Sequence, residues 1–161
     1  MHGRKNFRRK TNRLKDFEYI NPFIYFVTIC SYEKNKTFVN SDIVSEKLKH
    51  LEKSADKHNL KVLAYCFMPD HVHLLIGSND TEGNLINFIK EFKQKTGYEF
   101  KKKHEVNLWQ KSFYDHILRK EESVIDLVRY IFNNPVRKGL VTEFKKYSFL
   151  GSMVVDIDDI Y

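Results

Sequence analysis

Cysteine is scarce in this chain. Two residues, Cys30 and Cys66, stand far apart among 161, and neither belongs to a CxxC pair. That count argues against a cysteine-built metal site. Both lie in apolar, strand-like runs, which predicts buried free thiols in a reducing, cytoplasmic compartment. Long apolar runs are missing as well: none approaches the roughly 18 to 20 residues that would span a bilayer. The basic N-terminus is not followed by an apolar segment, so no secretory signal is expected. Neither internal repeats nor low-complexity linkers occur. Acidic residues are outnumbered, 21 against 28 Lys and Arg, which leaves a net charge of +7. Such a balance favours an anionic partner, nucleic acid ahead of a membrane surface.

Hydrophobic residues make up 42% of the chain and aromatic ones 14%, enough to bury one ordinary core. Residues 1–20 read as a basic arm, with Arg4, Lys5, Arg8, Arg9 and Lys10 as candidate phosphate contacts. A domain over 21–150 follows, then a short acidic tail over 151–161. Phe23 to Ser31 (FIYFVTICS) is rich in aromatic and β-branched residues and predicts a buried strand. Ser41-Asp42 offers a cap for a helix whose Ile43, Val44, Leu48 and Leu51 share one face. Lys61 to Phe67 and His71 to Ile76 read as a hairpin turning at Met68-Pro69-Asp70. Asn79-Asp80-Thr81 opens a second helix, with Gly97 as its expected stop. Leu108 to Arg119 reads as extended, and Glu121 to Asn134 as a third helix ended by Pro135. The order β-α-β-β-α-β-α suggests an α+β, ferredoxin-like (RRM-like) antiparallel sheet with its helices packed on one face.

The sharpest local feature is His71-Val72-His73. Side chains alternate along a strand, so the two imidazoles share one face while Val72, Leu74 and Ile76 take the other. Neighbouring imidazoles suit a divalent ion; two polar residues on an open sheet face is the plainer alternative. In the third helix, Tyr130 and Asn134 lie one turn apart at the edge of an apolar arc, where they can present a phenol and an amide oxygen to one point. A phenol ionises near pH 10. Attack on phosphorus near neutrality therefore needs a metal, held by His71, His73 and Asn134, to offset developing charge. The product would be a covalent phosphotyrosine. Tyr114 is a rival nucleophile, since an extended strand puts it on the same face as His116.

At this point the chain resembles a family. PDHVHLLI is similar to the HUH motif (His, hydrophobic, His) of single-tyrosine transposases. WQKSFYDHILRKEE and DLVRYIFNNPVRKGLV are similar to segments of the REP-associated tyrosine transposases within that group, in the same order. The likeness runs from about Phe23 to Val141. It implies a ferredoxin-like domain that binds single-stranded or hairpin DNA, uses Mg²⁺ or Mn²⁺, and leaves a 5′-phosphotyrosine with a free 3′-OH. By motif, His71 and His73 match the metal pair, Tyr130 the nucleophile and Asn134 the completing ligand, where related enzymes usually carry Gln.

Around this centre, His116, Asp70 and Tyr114 are candidates to support the ligands from behind or to touch DNA. Trp109 is a candidate for stacking on an unpaired base. Lys90, Lys93 and Lys95, with Lys101, Lys102 and Lys103, could form a backbone track, and Arg137 and Lys138 sit just beyond the nucleophile helix. Relatives include monomers and homodimers, and no membrane partner is expected. Two other readings use part of this pattern: a non-catalytic nucleic-acid-binding module, and a metal-dependent hydrolase of small phosphate esters.

Overall fold

The computed structural model describes residues 23–77, 83–119 and 122–159. The basic arm with Arg4, Lys5, Arg8, Arg9 and Lys10, and the cap expected at 79–81, lie outside the described residues. Five strands form one antiparallel sheet: β1 (Tyr25–Cys30), β2 (Lys61–Met68), β3 (His71–Gly77), β4 (Tyr114–Ile117) and β5 (Leu150–Gly151), in the spatial order β4-β1-β3-β2-β5. The hairpin β2–β3 turns at Pro69-Asp70 as the sequence predicts, and pairs Met68 with His71. Strand β1 sits between β3 and β4, so Thr28 lies beside both His73 and Tyr114, and Phe26 beside His116.

Helices α1 (Ser41–Lys57) and α2 (Leu85–His104) cover one face. Val44, Leu51, Phe88, Ile89 and Phe92 pack there against Tyr25, Val27, Ile29, Val72, Leu74 and Ile76. Each large apolar side chain fully buried in this way contributes about 1.5–3 kcal/mol. Asn40, rather than Ser41 or Asp42, caps α1: its Oδ1 accepts from the amides of Asp42 and Ile43.

The expectation that all helices share one face is corrected. Helix α3 (Val124–Phe132) lies on the opposite face, where Val128, Ile131 and Phe132 pack on Phe26, Ala64, Cys66, Met68 and Leu75. The cause is legible in the strands. β1 and β2 carry apolar side chains at both parities, so neither face can be left bare to water. The far end of that face, where the strands carry His71, His73 and Thr28, stays open.

Three further boundaries differ. Helix α2 runs through Gly97 and ends at Glu105, whose φ of 61° is left-handed. Gly97 lies inside the helix beside Trp109, where a Cβ would make only an ordinary 3.7 Å contact with Cδ1, so neither a helix end nor close packing calls for glycine there. Regular pairing in Leu108–Arg119 shrinks to β4, with one isolated bridge from Trp109 to Ser31. Tyr130 and Asn134 belong to two helices: α3 stops at Phe132, and Asn134 opens the short α4 (Asn134–Arg137) with Pro135 in its first turn. Strand β5, for which the sequence reading expected no strand and which straddles the expected boundary between domain and tail, extends the sheet beyond β2. Its Gly151 sits against Tyr65 so closely that a Cβ there would lie 2.6 Å from the Tyr65 hydroxyl.

Candidate active site

A cavity of about 290 Å³ opens on the α3 face of the sheet, lined by side chains that include Thr28, Cys30, Lys34, His71, His73, Tyr114, His116 and Tyr130. Strand alternation explains the convergence. Phe26, Thr28 and Cys30 of β1 point the same way as His71 and His73 of β3, and Tyr114 and His116 of β4 join them in register.

The two imidazoles are fixed from behind. His71 Nδ1 shares a 2.6 Å hydrogen bond with Asp70 Oδ1, and His73 Nδ1 a 2.9 Å bond with Thr28 Oγ1. Their Nε2 atoms face each other at 3.1 Å. Two nitrogens at that spacing suit neighbouring ligands of one divalent ion bound at roughly 2.0–2.1 Å, and outer partners on Nδ1 are what metal-binding histidines usually have. Burial holds both rings below the ordinary histidine range. For His73, well below it, the nearby His71, Arg137, Lys34 and Lys138 add to the effect. For His71 the Asp70 carboxylate works against burial, while Lys34 and Lys138 reinforce it. Neutral imidazoles are the form that ligates.

Tyr130 is 41% exposed at the mouth. Its ring packs edge-on against Phe26, centroids 6.1 Å apart, and Phe26 in turn lies 5.3 Å from the His73 ring. Arg137 covers the other side of the phenol. Tyr114 lines the same cavity from β4, so both candidate phenols face it. Asp70 stands behind His71 and faces the site through that ring. His116 bonds Glu122 through Nε2, 3.0 Å from each carboxylate oxygen.

Asn134 is not among the residues that line this cavity. It is buried, and its Oδ1 accepts a 3.1 Å hydrogen bond from Arg137. A turn at Asn133 separates its short helix from the one that carries Tyr130. Among the described residues, no group of three His, Cys, Asp or Glu side chains is arranged to hold a metal. The histidine pair thus fits a divalent ion, and the amide oxygen of Asn134 is engaged by Arg137.

Two candidates for DNA contact prove structural. Trp109 is buried between Phe38 and Phe92, and its Nε1 donates to Thr96 Oγ1 at 2.8 Å, leaving no ring face for a base. Lys93 turns its ammonium onto the carbonyls of Gln110, Lys111 and Ser112, which ties the loop before β4 to α2. Lys95 pairs with Glu91, whereas Lys90, Lys101, Lys102 and Lys103 are exposed along α2, on the side of the sheet away from the cavity. Arg137 and Lys138 are exposed beside the site.

Sequence reasoning missed Thr28, Phe26 and Lys34. The signal for the first two was the parity of β1 combined with its pairing to β3. Lys34 Nζ donates to Cys30 Sγ at 3.1 Å. Burial works to lower its pKa, but that bond, the Cys30 thiol, Asp70 and Tyr114 outweigh it and hold the ammonium above the ordinary lysine value.

Comparison with known proteins identifies a family and a shared fold. A family model described as "Transposase IS200 like" matches residues 21–134, a span that contains both histidines and Tyr130. A Haemophilus influenzae protein provisionally named a REP-associated tyrosine transposase is 26% identical over 137 residues, covering 78% of this chain and 77% of that protein. The Escherichia coli K12 REP-associated tyrosine transposase is 26% identical over 93 residues, covering 55% of this chain and 52% of that one. A solved REP-associated tyrosine transposase bound to a REP hairpin aligns with a TM-score of 0.68 at 19% identity, over 82% of this chain and 78% of the other. A provisionally assigned transposase from Deinococcus radiodurans gives 0.53 at 21% identity, over 74% and 95%. These structural likenesses establish a shared fold. No helix among the described residues is long and apolar enough to cross a membrane.

Proposed function

Because the chain belongs to the IS200-like transposase family, we propose that it nicks and rejoins single-stranded DNA beside a hairpin, with Tyr130 as nucleophile. One observation carries this reading: a pair of neutral, buttressed imidazoles opens onto the same cavity as an exposed phenol. The hairpin as substrate is suggested by the structurally similar transposase bound to a REP hairpin. The strand order β4-β1-β3-β2, with α1 and α2 on one face, supports naming the fold ferredoxin-like.

His71 and His73 would hold Mg²⁺ or Mn²⁺, with Asn134 recruited only after Arg137 releases it. Such an ion, when bound, would supply Lewis-acid polarisation of the scissile phosphate. Tyr130 supplies the attacking oxygen. Its Oη–P bond forms as the P–O3′ bond breaks; the phenol proton goes to water, and the departing 3′ oxygen takes one from water. A 5′-phosphotyrosine then conserves the bond for rejoining. Arg137 and Lys138 hold backbone phosphates beside the phenol.

The test is to incubate labelled hairpin oligonucleotides bearing single-stranded flanks with the protein and Mn²⁺, then look for an adduct that survives denaturation. Tyr130→Phe is expected to abolish it while binding persists. Adduct retained by Tyr130→Phe and lost in Tyr114→Phe would transfer the role to Tyr114. Tight hairpin binding with no adduct at all would leave a binding module of the same fold.

A further inference from the structure

The loop after β1 is the most constrained segment near the cavity. Glu33 and Lys34, neither of them glycine, have φ of 53° and 59° in succession. Left-handed backbone at an ordinary residue is strained and persists only where the surroundings impose it. Here they do. Ser31 is fully buried, and its hydroxyl bridges two carbonyls, bonding Asn35 at 2.7 Å and Asp70 at 2.9 Å. The Ser31 amide donates to the same Asp70 carbonyl, also at 2.9 Å. One end of the strained loop is thereby tied to the turn that carries His71, whose carboxylate neighbour orients that ring.

The strain brings Lys34 into the cavity wall beside His71, His73 and Tyr130. Its hydrogen-bond partner there is the Cys30 thiol, a weak acceptor that is readily exchanged for a better one. Among the described residues Lys34 makes no ion pair. A compact cation with a poor acceptor, facing a phenol across a site for a divalent ion, is placed for a phosphate oxygen.

We propose that Lys34 is a catalytic residue that binds a non-bridging oxygen of the phosphodiester attacked at this site, an assignment that rests on the nicking reaction proposed above. The ammonium exchanges Cys30 Sγ for the phosphate oxygen and keeps its proton throughout. It offsets charge on the equatorial oxygens while the Tyr130 Oη–P bond forms and the P–O3′ bond breaks. The Ser31 clamp is what lets this happen without reorganising the loop.

Glycine suits a positive φ, so Lys34→Gly deletes the ammonium without disturbing the backbone and separates chemistry from folding. The full chain, Lys34→Gly and Lys34→Arg are compared in single-turnover adduct formation with Mn²⁺ and a saturating flanked hairpin oligonucleotide. Melting curves and anisotropy titrations of the same oligonucleotide in EDTA accompany them. Lys34→Gly is expected to slow the adduct about 10²-fold, with a melting midpoint unchanged or raised and metal-free affinity reduced a few-fold. Ethylammonium in the buffer, or Lys34→Arg, should restore part of the rate. A Lys34→Gly rate within threefold of wild type would overturn the proposal, and so would a slow rate that neither ethylammonium nor arginine improves. If wild type itself forms no adduct, the nicking reaction fails first and the role of Lys34 falls with it.

Discussion

The guanidinium carbon of Arg137 lies 4.0 Å from the centre of the Tyr130 ring, while the same guanidinium donates to Asn134 Oδ1. One cation thus touches both the candidate nucleophile and the amide expected to complete the metal site. It packs on the phenol at the cavity mouth and occupies the amide oxygen of Asn134. A phosphate arriving there would compete for the guanidinium and free Asn134. Arg137→Ala should slow adduct formation about tenfold, the loss expected for a cation–π contact of ~0.5–2 kcal/mol. Arg137→Lys should restore little, because an ammonium can neither stack as a plane nor make the forked contact. If Asn134 is the third ligand, Arg137→Ala also binds Mn²⁺ more tightly than wild type, which titration calorimetry reads directly.

Thr28 Oγ1 shares a hydrogen bond with His73 Nδ1 and so holds the ring with Nε2 directed at its neighbour; for Nε2 to ligate, Nδ1–H is the donor. Thr28→Val keeps the shape of the side chain and removes the hydrogen bond. Loss of such an outer partner commonly costs 10–100-fold in metal affinity, and that is the expected fall for Mn²⁺ by calorimetry. The circular-dichroism spectrum should not change. EDTA should abolish adduct formation in wild type, and His71→Ala or His73→Ala should do so even at high Mn²⁺.

The parts of this site that could be read in the sequence are those governed by short periods. His71 and His73 share a face because strands alternate, and Tyr114 and His116 do so for the same reason. Thr28 and Phe26 were hidden because their roles depend on β1 pairing with β3, a contact 45 residues away in the chain for Thr28 and His73. Lys34 was hidden because its position follows from two left-handed residues that no propensity favours. The hydrogen bond that Arg137 gives Asn134 was hidden because it depends on the turn at Asn133 that separates α3 from α4. The opposite placement of α3 could have been inferred from Phe26, Ala64 and Cys66, apolar residues at the parity assigned to solvent.

Trp109 offers a test of whether aromatic content here serves the core or the substrate. Its indole N–H is satisfied by Thr96, whose hydroxyl also donates to the Phe92 carbonyl. Trp109→Phe leaves that buried hydroxyl without its donor and a gap beside Phe38 and Phe92. A loss of about 1–3 kcal/mol is expected, or roughly 2–4 °C in melting midpoint for each kcal/mol. Hairpin affinity, measured by anisotropy at a temperature where both proteins are folded, should stay within twofold of wild type. A base-stacking residue would show the reverse pattern.

Glu91 couples stability to pH at a place remote from the chemistry. It lies between α1 and α2 with three basic groups around it: Lys95 from its own helix, and Lys57 and His58 from the end of α1. Hydrogen bonds from Lys95, Lys57 and His58, in that order, outweigh burial and bring its carboxyl down to about 2. A depressed carboxylate contributes stability that is fully present above its unfolded value, near 4.5, and is lost as pH falls toward 2. Glu91→Gln removes that contribution and leaves three basic groups facing one another. The variant should melt a few degrees below wild type at pH 7, and the gap should narrow between pH 4.5 and pH 2. High salt should shrink the difference at neutral pH, since Lys57 and Lys95 are more than half exposed. Equal melting of the two proteins at pH 7 in low salt would show that this network leaves the docking of α1 on α2 to its apolar contacts alone.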